Sequence, residues 1–185
     1  FVLNIISSPG SGKTTLLEAT LDRLASKMNI AVIEGDISTE RDMDRVRARG
    51  ASGVQINTGG GCHLSSRMVA DVLDKVDLES AEIVFIENVG NLVCPSAFDL
   101  GESARVILLS VPEGDDKPVK YPGTFAEADV VLINKIDLVD YIDFNLERVL
   151  GDIQIINPDV PVFQVSATTG QGMDQWYAWL RKQHS

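Results

Sequence analysis

An apolar run at residues 2–6 leads into Ser7-Ser8-Pro9-Gly10-Ser11-Gly12-Lys13-Thr14, and a helix-like run follows over residues 15–24. Strand, small-residue loop ending in Gly-Lys-Thr, then helix is the context in which a phosphate-binding P-loop forms. Backbone N–H groups of the loop and the helix start converge on an anion. The reading places Gly10, Ser11, Gly12, Lys13, Thr14 and Thr15 around the phosphates. Lys13 reaches the β- and γ-phosphates, and the Thr14 hydroxyl holds Mg²⁺. Gly10 and Gly12 permit close approach and positive φ. The general pattern opens with Gly, where this chain has Ser7.

The 185 residues, 44% hydrophobic and 23% charged, suit a single domain over residues 1–185 with a real core. A net charge of −11 argues against a nucleic-acid partner, so phosphate binding has to be local. No apolar run approaches the roughly 18 residues of a membrane span, and no signal peptide precedes the first strand. The expectation is a cytoplasmic protein with no membrane association. The first strand begins almost at the first residue, which leaves open whether a segment precedes it.

Short apolar strands alternate with helical patterns. The fold expected is α/β, a P-loop NTPase with a mainly parallel sheet of about seven strands and helices on both faces. Strands are expected over 2–6, 31–34, 54–57, 83–87, 104–111, 130–134 and 162–165. Helices are expected over 15–27, 40–49, 65–76, 144–150 and 173–182. Met173, Trp176, Tyr177 and Leu180 repeat at helical spacing and read as core. Irregular stretches at 90–101 and 113–116 fall at the carboxyl ends of strands, where such folds bind ligands.

Asn134-Lys135-Ile136-Asp137 follows an apolar run and reads guanine. The Asp137 carboxylate can accept from guanine N1–H and the N2 amino group, donors that adenine lacks in that place. Asn134, Lys135, Ser166 and Ala167 complete the expected base contacts, with a backbone N–H of the Ser-Ala pair on the guanine O6. Glu87-Asn88-Val89-Gly90 stands where many GTPases have Asp-x-x-Gly. Glu87 is expected to reach Mg²⁺, directly or through water, and the Gly90 N–H to bond the γ-phosphate. Asp36 is a candidate for Mg²⁺ or for orienting the attacking water, or else a helix N-cap. No Gln adjoins Gly90, so slow intrinsic hydrolysis is expected, with Lys13, Asp36, Glu87 and Gly90 as the catalytic set.

The chain has two cysteines, Cys62 and Cys94, and Cys62 adjoins His63. Cys62 is expected at a helix start, which favours thiolate. Pro95 is expected to keep Cys94 extended and out of a helix. Two thiolates and an imidazole suit Zn²⁺ or Ni²⁺. Three donors are short of four, so either water completes the site or two chains share it. The alternative is that the cysteines are small buried hydrophobes.

Taken together, the P-loop, Asn57-Thr58-Gly59 with Cys62-His63-Leu64, Glu87-Asn88-Val89-Gly90-Asn91-Leu92-Val93-Cys94-Pro95, Glu113-Gly114-Asp115-Asp116-Lys117-Pro118 and Asn134-Lys135-Ile136-Asp137 resemble the HypB family. These are GTPases that assist nickel insertion into [NiFe]-hydrogenase. The resemblance covers essentially the whole chain. It implies GTP/GDP and Mg²⁺ at Lys13, Thr14 and Asp137, and a nickel or zinc ion at Cys62, His63 and Cys94. It also implies a nucleotide-dependent homodimer, a HypA-like accessory protein and a hydrogenase large subunit as partners. Lys117 and Lys120 are candidates to cross toward the other chain's nucleotide, or are solvated loop charges. The cysteine-rich and histidine-rich N-terminal stretches of some members are absent from this sequence. The alternatives are a UreG-like urease GTPase, whose motif is Cys-Pro-His, and a nucleotide-gated metal scaffold with negligible turnover.

Overall fold

The computed structural model describes residues 1–36 and 41–183, with the backbone alone at 36, 41 and 42. Seven strands form one sheet: β1 (Val2–Ser7), β2 (Ile30–Asp36), β3 (Ser52–Asn57), β4 (Ile83–Glu87), β5 (Ala104–Ser110), β6 (Val130–Asn134) and β7 (Val162–Gln164). Their order is β3-β2-β4-β1-β5-β6-β7, and each adjacent pair is parallel. Both faces are covered, which is why the central strands read as largely apolar runs rather than alternating ones.

The helices are α1 (Lys13–Leu24), α2 (Arg41–Arg47), α3 (Ser66–Ala70), α4 (Lys117–Lys120), α5 (Pro122–Ala126), α6 (Leu146–Ile156) and α7 (Met173–Gln183). Alternate strand residues separate cleanly by face. Leu3, Ile5, Val32, Phe85, Val106, Leu108 and Leu132 pack with Leu16 and Leu21 of α1, Met43 of α2 and Trp176 of α7. The opposite face divides in two. Ile6, Ile107, Leu109 and Ile133 pack with Phe125 of α5 and with Val149 and Ile153 of α6. Ala31, Ile33, Val84 and Ile86 pack with Val69 of α3 and Leu100. Asn4, fully buried on central strand β1, belongs to neither cluster.

Several expected bounds shift for local reasons. The run expected as one helix over 65–76 is α3 followed by a 3₁₀ turn, Leu73–Lys75. Asp71 and Asp74 place negative charge where the helix C-terminus disfavours it. The helix expected over 144–150 begins later, where Asn145 caps it by accepting from the Arg148 N–H at 2.9 Å. It also runs on to Ile156, with Gly151 inside the helix. Helices α4 and α5 were not expected; each carries Pro in its first turn, where the missing N–H costs nothing. The start of the helix expected over 40–49 lies at Glu40, outside the described residues.

Helix α7 is locked to the helix that follows the P-loop. Trp176 Nε1 donates to Thr20 Oγ1 at 3.0 Å, and Tyr177 Oη donates to the Ala19 carbonyl at 3.1 Å. Trp176 is fully buried. Trp176→Ala is expected to cost about 3–5 kcal/mol in a urea unfolding curve. Trp176→Phe, which keeps most of the packing and loses the hydrogen bond, is expected to cost markedly less.

Candidate nucleotide and metal site

Strand β1 ends at the centre of the sheet, and the loop from Ser8 to Gly12 turns directly into α1. Gly10 and Gly12 have φ of 74° and 94°, the left-handed region that the loop reading requires. A Cβ at Gly12 would lie 2.7 Å from Asn134 Nδ2, so that position admits no side chain without displacing Asn134. Lys13 is buried, and its Nζ donates to Ser7 Oγ at 3.0 Å. Burial pulls the Lys13 pKa down, while the Glu87 and Glu113 carboxylates oppose that shift. Ser7, the departure from the usual glycine, thus supplies a hydroxyl that holds the lysine, and its Oγ also lies 2.6 Å from Ser11 Oγ.

Thr14 Oγ1 donates to Glu87 Oε1 at 2.9 Å. The two side chains expected to hold Mg²⁺ therefore meet, one from the P-loop and one from the end of β4. A cavity of about 320 Å³ opens there, lined by Gly10, Gly12, Lys13, Thr14, Thr15, Glu87, Lys135 and Arg45. Arg45 was not expected. It comes from α2 and is held by Glu18 of α1 through bonds of 2.8 and 2.6 Å. Its position among Arg41, Arg47 and Arg49 gave no sign that this one faces a cavity. A second depression of about 280 Å³ between α6 and β7 is mainly apolar and shares no residue with the first. Strand β2 carries the backbone to Asp36, whose side chain lies outside the described residues.

The residues expected to read the base are assembled around the same loop. Asn134 Nδ2 donates to the Ser11 carbonyl at 2.9 Å, and Asn134 Oδ1 accepts from the Ala167 N–H at 3.1 Å. Lys135 Nζ donates to the Gly10 carbonyl at 2.6 Å, and its backbone takes φ 59°. Ser166 is buried, and its Oγ accepts from the Thr169 N–H at 3.1 Å. Asp137 is half-buried in the first turn of the 3₁₀ segment Ile136–Tyr141. The tetrapeptide and the Ser-Ala pair, 32 residues apart in sequence from Asn134 to Ser166, are thus bonded to one another and to the P-loop.

Gly90 packs on the P-loop: a Cβ there would stand 3.1 Å from Pro9 Cα. Beyond it, Asn91 forms an antiparallel bridge with Ser7. Cys94 then opens a 3₁₀ turn, Cys94–Ala97. This corrects the extended conformation expected for Cys94. Pro95 occupies the first turn, where proline is tolerated, and the Cys94 N–H bonds Asn91 Oδ1 at 3.0 Å instead of a helical carbonyl.

Cys62 is exposed, three residues before Ser65, the N-cap of α3. It lies outside that helix, and its thiol pKa is raised rather than lowered, first by a hydrogen bond with Cys94. The expected thiolate at a helix start is corrected accordingly. Cys62 Sγ stands 3.6 Å from His63 Nδ1, and the His63 ring stacks on Phe98 at 3.8 Å. The fold therefore brings Cys62, His63 and Cys94 to one place from two loops. Among the described residues, no three His, Cys, Asp or Glu side chains are closed around a point that would hold a metal ion. Of the two candidate crossing lysines, Lys117 pairs with Asp116, and Lys120 Nζ stands 5.5 Å from the Tyr121 ring centre.

Residues 1–164 match the model of the CobW/HypB/UreG nucleotide-binding domain. The chain is 53% identical over 182 residues to hydrogenase maturation factor HypB of Escherichia coli K12, covering 98% of this chain and 63% of that protein. It therefore spans under two thirds of that relative's length. The crystal structure of HypB from Helicobacter pylori in complex with nickel superposes with a TM-score of 0.92 at 43% identity, covering 100% of this chain and 86% of that one. Hydrogenase maturation factor HypB from Archaeoglobus fulgidus gives 0.93 at 38% identity, covering 100% and 90%.

Lys13→Ala removes a buried cation whose charge the fold disfavours, and it leaves the loop backbone in place. Its thermal unfolding is expected to stay close to that of the parent. Affinity for a nucleoside triphosphate, measured by equilibrium binding, is expected to fall about 10- to 150-fold, the worth of one hydrogen bond to a charged group at ~1.5–3 kcal/mol.

Proposed function

Because the chain belongs to the CobW/HypB/UreG family, and within it to the HypB group, we propose that residues 1–185 form a GTPase domain whose nucleotide state controls a bound nickel ion destined for [NiFe]-hydrogenase. The observation that carries this reading is that Cys94 lies on the segment leaving Glu87, the residue that meets Thr14 of the P-loop, while the Cys62–His63 loop after β3 is bonded to that same segment through the Leu64 N–H and Asn88 Oδ1. Thiols with an imidazole suit a borderline ion such as Ni²⁺ or Zn²⁺ far better than Mg²⁺. The nickel complex of the Helicobacter pylori protein supports nickel as the cargo.

The nucleotide site fits Mg²⁺ by its donors, a hydroxyl and a carboxylate already in contact at the cavity. Thr14 and Glu87 would hold the ion, which supplies charge neutralisation for the β- and γ-phosphates. Lys13 orients the phosphates, and the Gly90 N–H senses the γ-phosphate. Asp36 is the candidate to orient water. Asp137 selects guanine, with Asn134 joining the base loop to the phosphate loop. The absence of Gln beside Gly90 makes intrinsic turnover slow. HypA-like and large-subunit partners follow from group membership.

Three protein donors are one short of a tetrahedral set. A second copy of the chain completes it in this reading. Val93 and Phe98, close to Cys94 in sequence, expose 46% and 40% of their surface, which supports a contact surface there. GTP favours the dimer and GDP the monomer.

Asp137→Asn is expected to lower GTP affinity by up to about 10⁴-fold and to raise that for the xanthosine triphosphate, whose C2 oxygen can accept from the new amide. Unchanged GTP binding would remove the guanine assignment. A nickel titration in GDP and in a non-hydrolysable GTP analogue is expected to give affinities differing by about 5- to 150-fold. Cys94→Ala removes most of that difference, whereas Cys62→Ala weakens binding in both states.

A further inference from the structure

The two cysteine-bearing loops are tied to one short segment by asparagine side chains. Asn88 adjoins Glu87, is 1% exposed, and accepts at Oδ1 from the Leu64 N–H at 3.1 Å and the Val89 N–H at 3.0 Å. Leu64 directly follows Cys62-His63 in the chain. Three residues further on, Asn91 accepts at Oδ1 from the Val93 N–H at 2.8 Å and the Cys94 N–H at 3.0 Å. Its backbone is bridged to Ser7, the residue that holds Lys13. Both amide orientations are fixed, since each Oδ1 faces two backbone donors.

The bonds continue through the core. Asn88 Nδ2 donates to Asn4 Oδ1 at 3.1 Å, and Asn4 Nδ2 donates to Glu102 Oε1 at 3.2 Å. Arg105 Nε donates to the same oxygen at 2.7 Å, and Arg105 Nη1 donates to the Ser96 carbonyl at 3.1 Å, inside the Cys94–Ala97 turn. A hydrogen-bonded chain thus runs from the loop of Cys62 and His63 to the turn of Cys94, along the seam between two apolar clusters. Buried polar chains of this kind are rigid when every member is bonded.

We propose that Asn88 and Asn91 are the positioning residues of the Cys62–His63–Cys94 site, setting the ligands' separation and passing the nucleotide state of Glu87, Gly90 and Ser7 to both loops. This rests on the reading that those three side chains take a thiophilic metal. The residue types fit the task. Position 88 needs an acceptor for two N–H groups and a donor toward Asn4, which an amide provides and a carboxylate does not. Position 91 uses only its acceptor, so Asp can replace Asn there.

The test is a Zn²⁺ titration by indicator competition, in GDP and in a GTP analogue, of wild type, Asn88→Ala, Asn91→Ala and Asn91→Asp. GTP-analogue affinity and circular dichroism check folding. Both alanine variants are expected to bind Zn²⁺ about 10- to 100-fold more weakly, as loss of an outer-shell partner does. The ratio between nucleotide states falls toward one, and Asn91→Asp restores affinity and ratio. A merely structural role would lower thermal stability and leave that ratio intact. Should Asn88→Ala fail to fold, the two position-91 variants decide alone. Wild-type affinity and ratio in Asn91→Ala would overturn the proposal while leaving the metal site standing. Equal Zn²⁺ binding by wild type and by Cys62→Ala/Cys94→Ala would remove the metal site itself, and the proposal with it.

Discussion

The hydrogen bond from Thr14 to Glu87 joins the start of α1, which the loop after β1 leads into, to the end of β4, the parallel neighbour of β1. Parallel pairing sends both chains out of the sheet on the same side, so the loops that follow them have to share one region. The loop after β1 is the phosphate cradle. The segment after β4 passes Pro9 at Gly90, bridges to Ser7 at Asn91 and reaches Cys94 three residues later. Phosphate recognition and the placement of Cys94 are therefore features of one strand pair, and the Cys62 loop after β3 is bonded to the same segment through Asn88. No long-range relay is required to link them, because the linking segment is a few residues long.

The rest of the fold holds that pair still. Helix α1 is fixed on one face by Trp176 and Tyr177 of α7. On the other face, the two apolar clusters leave a buried polar seam at Asn4, where a wholly apolar core would place a branched aliphatic residue. A buried amide without partners would cost about 1–3 kcal/mol. Here Asn4 is bonded on both sides, to Asn88 and to Glu102. The seam trades apolar area for directional bonds, and those bonds end at the two loops that carry the cysteines.

The elements and chemistry legible in the sequence are those whose signal is local. Gly12-Lys13-Thr14 after an apolar strand fixes the cradle, and the apolar runs locate the seven strands to within a few residues. Asn134 and Asp137 are recognisable because a strand end precedes them. What the sequence concealed depends on tertiary partners. Nothing local distinguishes Arg45 from its arginine neighbours, or Asn88 from any strand-end asparagine. Pro95 argued for an extended Cys94 through a true local preference, but a first 3₁₀ turn satisfies the same restriction. Cys62 lay near a helix start in sequence, yet the helix begins only after Ser65, and the thiol's surroundings are set by Cys94.

Amide hydrogen exchange at Leu64 and Cys94, compared between GDP and a non-hydrolysable GTP analogue without added metal, tests most directly whether the cradle and the cysteine loops move as one. Both N–H groups donate to side chains of the segment that follows Glu87. The γ-phosphate is predicted to change protection at both together, while the Trp176-anchored end of α7 stays constant. Protection at Leu64 and Cys94 that is identical in the two nucleotide states would contradict a shared segment and leave the phosphate and thiol groups as separate sites.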